Sequence, residues 1–321
     1  MRAGAMLPVL ITIDTEYSSG LYKSGEGRDC ARNFDRTIAC RGSKSEAGIA
    51  HQMAVMSEHG IIGTFFVDPM PALVWGQEAV DAVVQPILKA GHEVQLHCHT
   101  EWLAFAEGDP FGPERGQNLK DFRYDTQVAL LEYGRDRLIE AGSPSPTMFR
   151  AGNYGANDDT LRALASIGIT RDTSFAPGFA GSHCAIDLAM GRCEPVTHCG
   201  VEQWPIAAIA AREGWRHGQL TALSFAEMRA AIEHAAESEW PAFILVSHSF
   251  ELFNRQRGEP NPVLMRRFER LCEWLGSNEV AQGVGTEALR LPRYETPLPL
   301  LPHSFARTAG RMAEQALANR F

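Results

Sequence analysis

The chain lacks any apolar run approaching the roughly 18 residues that a membrane-spanning helix needs, so no membrane span is expected. It is short of positive charge, with 30 Lys and Arg against 39 Asp and Glu and a formal net charge of −9 over 321 residues. Nucleic-acid binding needs clustered positive charge, so a nucleic-acid partner is not expected. Its seven cysteines (Cys30, Cys40, Cys98, Cys184, Cys193, Cys199 and Cys272) contain no Cys-x-x-Cys pair. An odd, scattered set indicates neither a disulfide framework nor a structural zinc site. No Gly-x-Gly-x-x-Gly follows a strand-like run and no Gly-x-Ser-x-Gly is present, which weighs against a Rossmann nucleotide enzyme and a serine hydrolase. Nor is there a signal-peptide core: Leu7-Pro8-Val9-Leu10-Ile11-Thr12-Ile13 is interrupted by Asp14 before any small-residue cleavage site, and a cytoplasmic chain is the expectation.

What is present is an ordinary globular mixture, 45% hydrophobic and 21% charged, which excludes extended disorder and collagen-like or coiled-coil architectures. Short apolar runs at 9–13, 61–67, 93–97, 147–150, 170–175, 201–206, 243–247 and, more weakly, 280–289 alternate with helical patterns at 46–59, 77–90, 117–141, 157–167, 224–238 and 261–275. That alternation is the pattern of βα units around a parallel sheet or barrel. With no repeat and no low-complexity linker, one domain spanning 1–321 is expected, with a C-terminal extension from about residue 291. Two stretches break the rhythm. Residues 18–46 read as a polar, Gly-rich loop insertion with six basic residues (Lys23, Arg28, Arg32, Arg36, Arg41, Lys44) against four acidic ones, and residues 176–200 read as irregular.

In a parallel α/β domain, functional side chains stand at the C-terminal ends of strands. The polar residues ending the apolar runs are Asp14 and Glu16, then His97, His99 and Glu101, then Arg150, Asp172 and His248. These are the residue types of a metal-assisted hydrolase. Asp14 and Glu16 are two apart and share a strand face, so one can hold a cation while the other moves a proton. His97-Cys98-His99-Thr100-Glu101 packs three potential ligands into five residues; His97 and Glu101 converge if the chain turns helical after the strand, His97 and His99 if it stays extended. The turn Gly152-Asn153-Tyr154-Gly155 after Arg150 can present peptide N–H groups to an oxyanion.

Taken in order, the acid pair, Gly63-Thr64-Phe65-Phe66-Val67, Gly91-His92-Glu93-Val94-Gln95-Leu96-His97, Phe149-Arg150-Ala151-Gly152 and Leu245-Val246-Ser247-His248 resemble the polysaccharide deacetylase family, the NodB-homology enzymes of carbohydrate esterase family 4, over about residues 7–290. The resemblance implies an α/β fold, a distorted (β/α) barrel of about seven strands, and a metal-dependent N-deacetylase of amino sugars. It places the catalytic base at Asp14, an arginine orienting that base at Arg150, and the general acid at His248. Tyr154 or its neighbouring backbone takes the oxyanion position, with Asn153, Trp102 and Asp172 grouped beside it as substrate or oxyanion residues. The family's usual second aspartate is Thr15 here, so Glu16 becomes the first metal ligand, as in branches with an acid-x-acid spacing. His97 matches the first metal histidine, and the second is replaced by Glu101, which leaves Glu101 or His99 to complete the shell. One divalent ion is implied, zinc first; a Glu16, His97, Glu101 set, harder than the usual one, brings in manganese, cobalt or iron.

Asp14 and His248 are expected on opposite sides of the metal, with the acyl group between them. The expected substrate is a carbohydrate or sugar conjugate. The alternatives are a deformylase or amidase acting on another small amide, and a catalytically silent barrel that binds a glycan or partner. The basic insertion is expected to form a lid over an anionic carrier such as a sugar-linked diphosphate; the oligomeric state is not read from the sequence.

Overall fold

The computed structural model describes residues 6–108, 110–177, 179, 183–189, 192–293 and 297–320. Residues 1–5 and several positions of the 176–200 stretch lie outside the described residues. Among the described residues the strands are β1 (Leu7–Thr15), β2 (Thr64–Val67), β3 (Glu93–Cys98), β4 (Met148–Ala151), β5 (Arg171–Asp172), β6 (Val196–His198), β7 (Val201–Gln203), β8 (Ala208–Ala210), β9 (Trp215–His217), β10 (Phe243–His248), β11 (Phe253–Asn254), β12 (Glu259–Pro260) and β13 (Ala281–Gly283). The α-helices are α1 (Ser19–Ser24), α2 (Cys30–Thr37), α3 (Ile49–Glu58), α4 (Ala72–Trp75), α5 (Gln77–Lys89), α6 (Tyr124–Glu140), α7 (Asp158–Ser166), α8 (Phe225–Glu237), α9 (Pro262–Ser277) and α10 (Phe305–Ala318). No helix among them is long and apolar enough to cross a membrane.

The main sheet runs β10-β1-β2-β3-β4-β5-β7-β6, with β13 paired to the start of β1. All neighbours are parallel except β6 and β7, which form a hairpin. Seven strands, β10 through β5 and then β7, thus curl into a barrel, and the distortion is the gap between β7 and β10. The chain after β7 fills that gap: Ala207 N donates to Ile244 O at 3.1 Å, Val246 N to Gly218 O at 2.8 Å, and Leu220 N to Val246 O at 2.9 Å.

Strand alternation sorts the residues. Val9, Ile11 and Ile13 of β1, Phe65 and Val67 of β2, Leu96 of β3, Phe149 of β4 and Leu245 of β10 face the helix layer in the larger core. The intervening Leu10, Phe66, Met148, Ile244 and Val246 fill the barrel interior with Trp204 and Ile206. Because side-chain period is two, this same inward parity carries Thr12 and Asp14, Gln95 and His97, Arg150, and His248 towards the barrel mouth.

The insertion at 18–46 is not a structureless loop. Ser18 caps α1 and Asp29 caps α2, each side chain accepting a peptide N–H of the first turn. Buried Asn33 closes the segment by accepting from Ser18 N at 2.9 Å and donating to Ser18 O at 3.0 Å and Gly27 O at 3.1 Å. The sequence signal lay in these caps, obscured by the glycines around them. The C-terminal extension packs back on the barrel, with Ala210 N donating to Leu301 O and α10 supplying Glu314 to Arg267 of α9 at 3.0 Å.

Where the insertion rejoins the barrel, Gly48 N donates to Ala39 O at 3.0 Å, and a side chain at Gly48 would overlap the Ile38 carbonyl oxygen and lie 2.5 Å from the Ala39 carbonyl carbon. Both obstacles are backbone and cannot rotate away. Gly48→Ala should therefore cost about 1–3 kcal/mol, read as a lower denaturant midpoint at unchanged slope. Gly310→Ala, in the open interior of α10, should instead add roughly 0.5–1 kcal/mol.

Candidate active site

Two register pairs put the chemistry at the mouth. Asp14 of β1 lies opposite His248 of β10, and His97 of β3 lies opposite Arg150 of β4. Arg150 is fully buried; its Nη1 donates to Asp14 Oδ1 at 2.5 Å and its Nη2 to Thr12 Oγ1 at 2.8 Å, while its guanidinium sits 4.4 Å from the centre of the Phe66 ring. One carboxylate oxygen of Asp14 is thus held, and the other, Oδ2, lies 3.9 Å from His248 Nε2. Asp14 and His248 thus stand side by side on adjacent strands.

His248 is fixed from behind by Glu251, whose Oε1 lies 2.9 Å from Nδ1. Glu251 is itself held by Ser247 Oγ at 3.3 Å, Thr221 Oγ1 at 3.3 Å and the Gln219 amide. Burial works against a charged His248, but Glu251, Asp14 and Glu16 outweigh it and push its pKa up to about 9. Sequence reading missed Glu251, although its i+3 spacing from His248 was a usable signal. It also missed Gln219, which has no such signal.

Glu16, His97 and His99 bring one ligand atom each to within 4.8 Å of one another. The backbone stays extended at His99 (φ −104°, ψ 107°), and the 3₁₀ turn starts only at Thr100, so His97 and His99, not His97 and Glu101, converge. His97 Nε2 lies 3.3 Å from Glu16 Oε2, and His99 Nε2 contacts the same oxygen. The second ring nitrogens are both occupied: His97 Nδ1 pairs with Arg150 O at 2.7 Å and His99 Nδ1 with Glu101 Oε2 at 3.1 Å. Glu101, also bonded by Asn153 Nδ2 at 3.0 Å, therefore stands behind His99 instead of among the converging atoms. Burial would raise the Glu16 carboxyl, yet His99 and His97 hold it well below the usual range. Burial would lower His99, yet Glu16 and Glu101 hold it well above its ordinary value. Buried Asp68 accepts from His99 N at 3.2 Å and Met70 N at 3.1 Å, and burial pushes its pKa up to about 6 against the pull of His99 and His97.

Asp14, Glu16, His97, His99 and His248 line a cavity of about 290 Å³ together with Tyr154, Phe179 and His183. Asn153 and Tyr154 both adopt left-handed backbone (φ 54° and 55°), uncommon for residues with side chains and characteristic of functional turns. Gly152 makes the turn's approach feasible, because a Cβ there would lie 2.8 Å from His99 Nδ1. Two grouped residues do not reach the cavity. Trp102 is fully buried against Trp75, Tyr22 and Phe105, bordering only a recess of about 90 Å³ behind Glu16 and His99. Asp172 turns its carboxylate to Ser174 N at 2.8 Å and Ser174 Oγ at 2.7 Å, bracing the end of β4 through Ala151 N.

The insertion leaves directly from this mouth, but its charges are largely internal. Arg36 pairs with Glu26 at 2.7 Å, Arg41 contacts Asp35, and Arg28 lies against the Tyr22 ring. Of its six basic residues only Lys23 borders the neighbouring cavity of about 500 Å³, beside Glu101 and Phe105. That distribution does not favour an anion-gripping lid.

The fold compares with solved structures at low sequence identity. A protein of Mycobacterium smegmatis assigned as a polysaccharide deacetylase is 16% identical, with a TM-score of 0.53 over 92% of this chain and 97% of that one. The 4-alpha-glucanotransferase of Thermococcus litoralis is 13% identical, with a TM-score of 0.53 over 93% of this chain and 42% of that one. A family 4 carbohydrate esterase of Streptomyces lividans is 11% identical, with a TM-score of 0.43 over 93% of this chain and all of that one. No protein-family model and no curated protein sequence matches the chain. The architecture is a distorted (β/α) barrel, shared with the Mycobacterium smegmatis and Thermococcus litoralis structures.

The buried Asp14–Arg150 pair makes a stability prediction. Arg150→Met leaves a carboxylate inside without its partner and should cost about 3–5 kcal/mol by denaturant titration. Adding Asp14→Leu to that variant removes the stranded charge and should recover a large part of the loss.

Proposed function

We propose that the chain is a metal-dependent hydrolase that removes an N-acyl group, acetyl first, from an amino sugar or sugar conjugate. The observation that carries this reading is the convergence, at one cavity, of a three-ligand set with a half-tethered carboxylate and a carboxylate-backed imidazole. The name of the Mycobacterium smegmatis relative supports the same chemistry.

The donor set fits a divalent cation. Two imidazoles and one carboxylate converge with their outer nitrogens already engaged by Arg150 O and Glu101, the arrangement by which proteins fix the tautomer and direction of metal ligands. Glu16, His97 and His99 would hold the ion, with zinc favoured by two nitrogens and one oxygen. Bound there, it would polarise the acyl carbonyl as a Lewis acid. Asp14 Oδ2, the oxygen left free by Arg150, takes the proton of the attacking water. His248 Nε2–H donates to the leaving nitrogen as the amide C–N bond breaks, giving a carboxylate and a free amine. The left-handed turn at Tyr154, with a buried hydroxyl that finds no partner, supplies hydrogen-bond donors for the oxyanion. The larger cavity beside Glu101 offers room for the body of the substrate.

Asp14→Asn should lower kcat by roughly 10²–10⁴-fold on an N-acetylated amino sugar while zinc binding, measured by elemental analysis, stays near the wild-type level; unchanged turnover would remove Asp14 as the base. A second outcome concerns pH. His248 acts only when protonated, and its pKa is raised, so activity should persist through neutral pH and fall as pH rises through about 9. Glu251→Gln removes the largest raising influence, so the alkaline limb of kcat/KM should move to lower pH by roughly 1–3 pH units. A limb that stays in place would show that His248 is not the titrating acid.

A further inference from the structure

Asp158, His198 and Cys199, none of which lines the cavity at the mouth, each bring one ligand atom to within 4.8 Å of the others, and all three are partly exposed. They come from different elements: Asp158 opens α7, His198 ends β6, and Cys199 begins the two-residue loop to β7. His198 Nε2 lies 3.0 Å from Asp158 Oδ1, and the same oxygen accepts Asp187 N at 3.0 Å.

Consecutive residues at a strand end ordinarily point to opposite faces, so His198 and Cys199 should diverge. They converge because Cys199 is left-handed (φ 47°) and Gly200 follows at φ 89°, the paired positive φ of a tight hairpin loop closed by the register of His198 with Val201. Asn or Asp with Gly is the usual choice there, and a cysteine in that conformation departs from it, its half-buried side chain reaching the edge of the larger core. The thiol is not set up as a nucleophile: the imidazole is bonded to Asp158, and burial with Asp158 beside it pushes the Cys199 thiol up.

We propose that Asp158, His198 and Cys199 form a second divalent-cation site, distinct from the one at the mouth and suited to zinc. Imidazole nitrogen, sulfur and carboxylate oxygen are zinc's preferred donors, three of them leave a fourth position for water, and a cation beside a thiol displaces its proton. The ion would staple the β6–β7 hairpin to α7 and, through Asp187 and the bridge of Ala185 to Asn157, to the stretch that carries His183 to the cavity wall.

Cobalt titration of the full chain after chelator treatment tests this, because only a thiolate ligand gives an ultraviolet sulfur-to-cobalt charge-transfer band and the mouth site has none. The expected result is such a band whose full amplitude corresponds to one thiolate-bound cobalt per chain. Cys199→Ser, and Cys199→Gly, which also relieves the positive φ, should abolish the band and lower cobalt stoichiometry by one. His198→Ala should weaken the band's affinity at least roughly tenfold, and Glu16→Gln should leave the band in full. No band, a band surviving both Cys199 variants, or saturation only at millimolar cobalt would overturn the site.

Discussion

The mouth of this barrel depends on one residue buried beneath it. The Arg150 guanidinium, stripped of water, is compensated by Asp14, Thr12 and the Phe66 ring, and it spans from β4 across β3 and β2 to β1. Its carbonyl meanwhile fixes the ring of His97. A single position thus sets the direction of the Asp14 carboxylate through its side chain, and of the His97 imidazole through its backbone. Neither could shift without disturbing a buried charge, a costly displacement in a dry interior. Preorganisation here is a consequence of burial, not of the shape of the loops.

Around that centre, environment divides similar acids into different roles. Asp14 keeps one oxygen free. Glu16 faces two imidazoles and is held ionised by them. Glu101 and Glu251 each back a histidine from outside, and Asp68 is pushed towards the neutral form by burial while bracing backbone N–H groups. Five carboxylates stand around Arg150 and three histidines, so the mouth is lined more by acids than by bases, an electrostatic setting that favours a cation over an anionic ligand.

Legibility in the sequence followed physical range. The alternating runs marked the seven barrel strands, because parity in a buried strand is a local property, and the residues ending those runs include Asp14, His97, Arg150 and His248, whose neighbours in the register are now visible. The choice between His99 and Glu101 turned on one ψ angle at His99, which no spacing rule fixes. Trp102 and Asp172 were grouped with the site by adjacency, yet each faces into packing that only the tertiary structure defines. The insertion hid two capped helices behind glycines. Asp158 and Cys199 are separated by some forty residues and meet through a hairpin loop with two positive φ values, so the absence of a Cys-x-x-Cys pair could not speak to them.

Fold alone does not choose the chemistry. Structures named for a polysaccharide deacetylase and for a glucanotransferase share this architecture with equal TM-scores. The discrimination lies in what crowns the strands. A glycosyl-transferring site works through a pair of carboxylates across a sugar ring. Here the one inward carboxylate with a free oxygen shares its register with an imidazole 3.9 Å away, and the next is already committed to two histidines. Asp14, His248 and the Glu16, His97, His99 cluster thus share one cavity of about 290 Å³. Asp14 and Glu16 are both carboxylates of that lining, but Arg150 holds the one and two histidines engage the other, so they do not stand as the free pair that glycosyl transfer across a sugar ring would use.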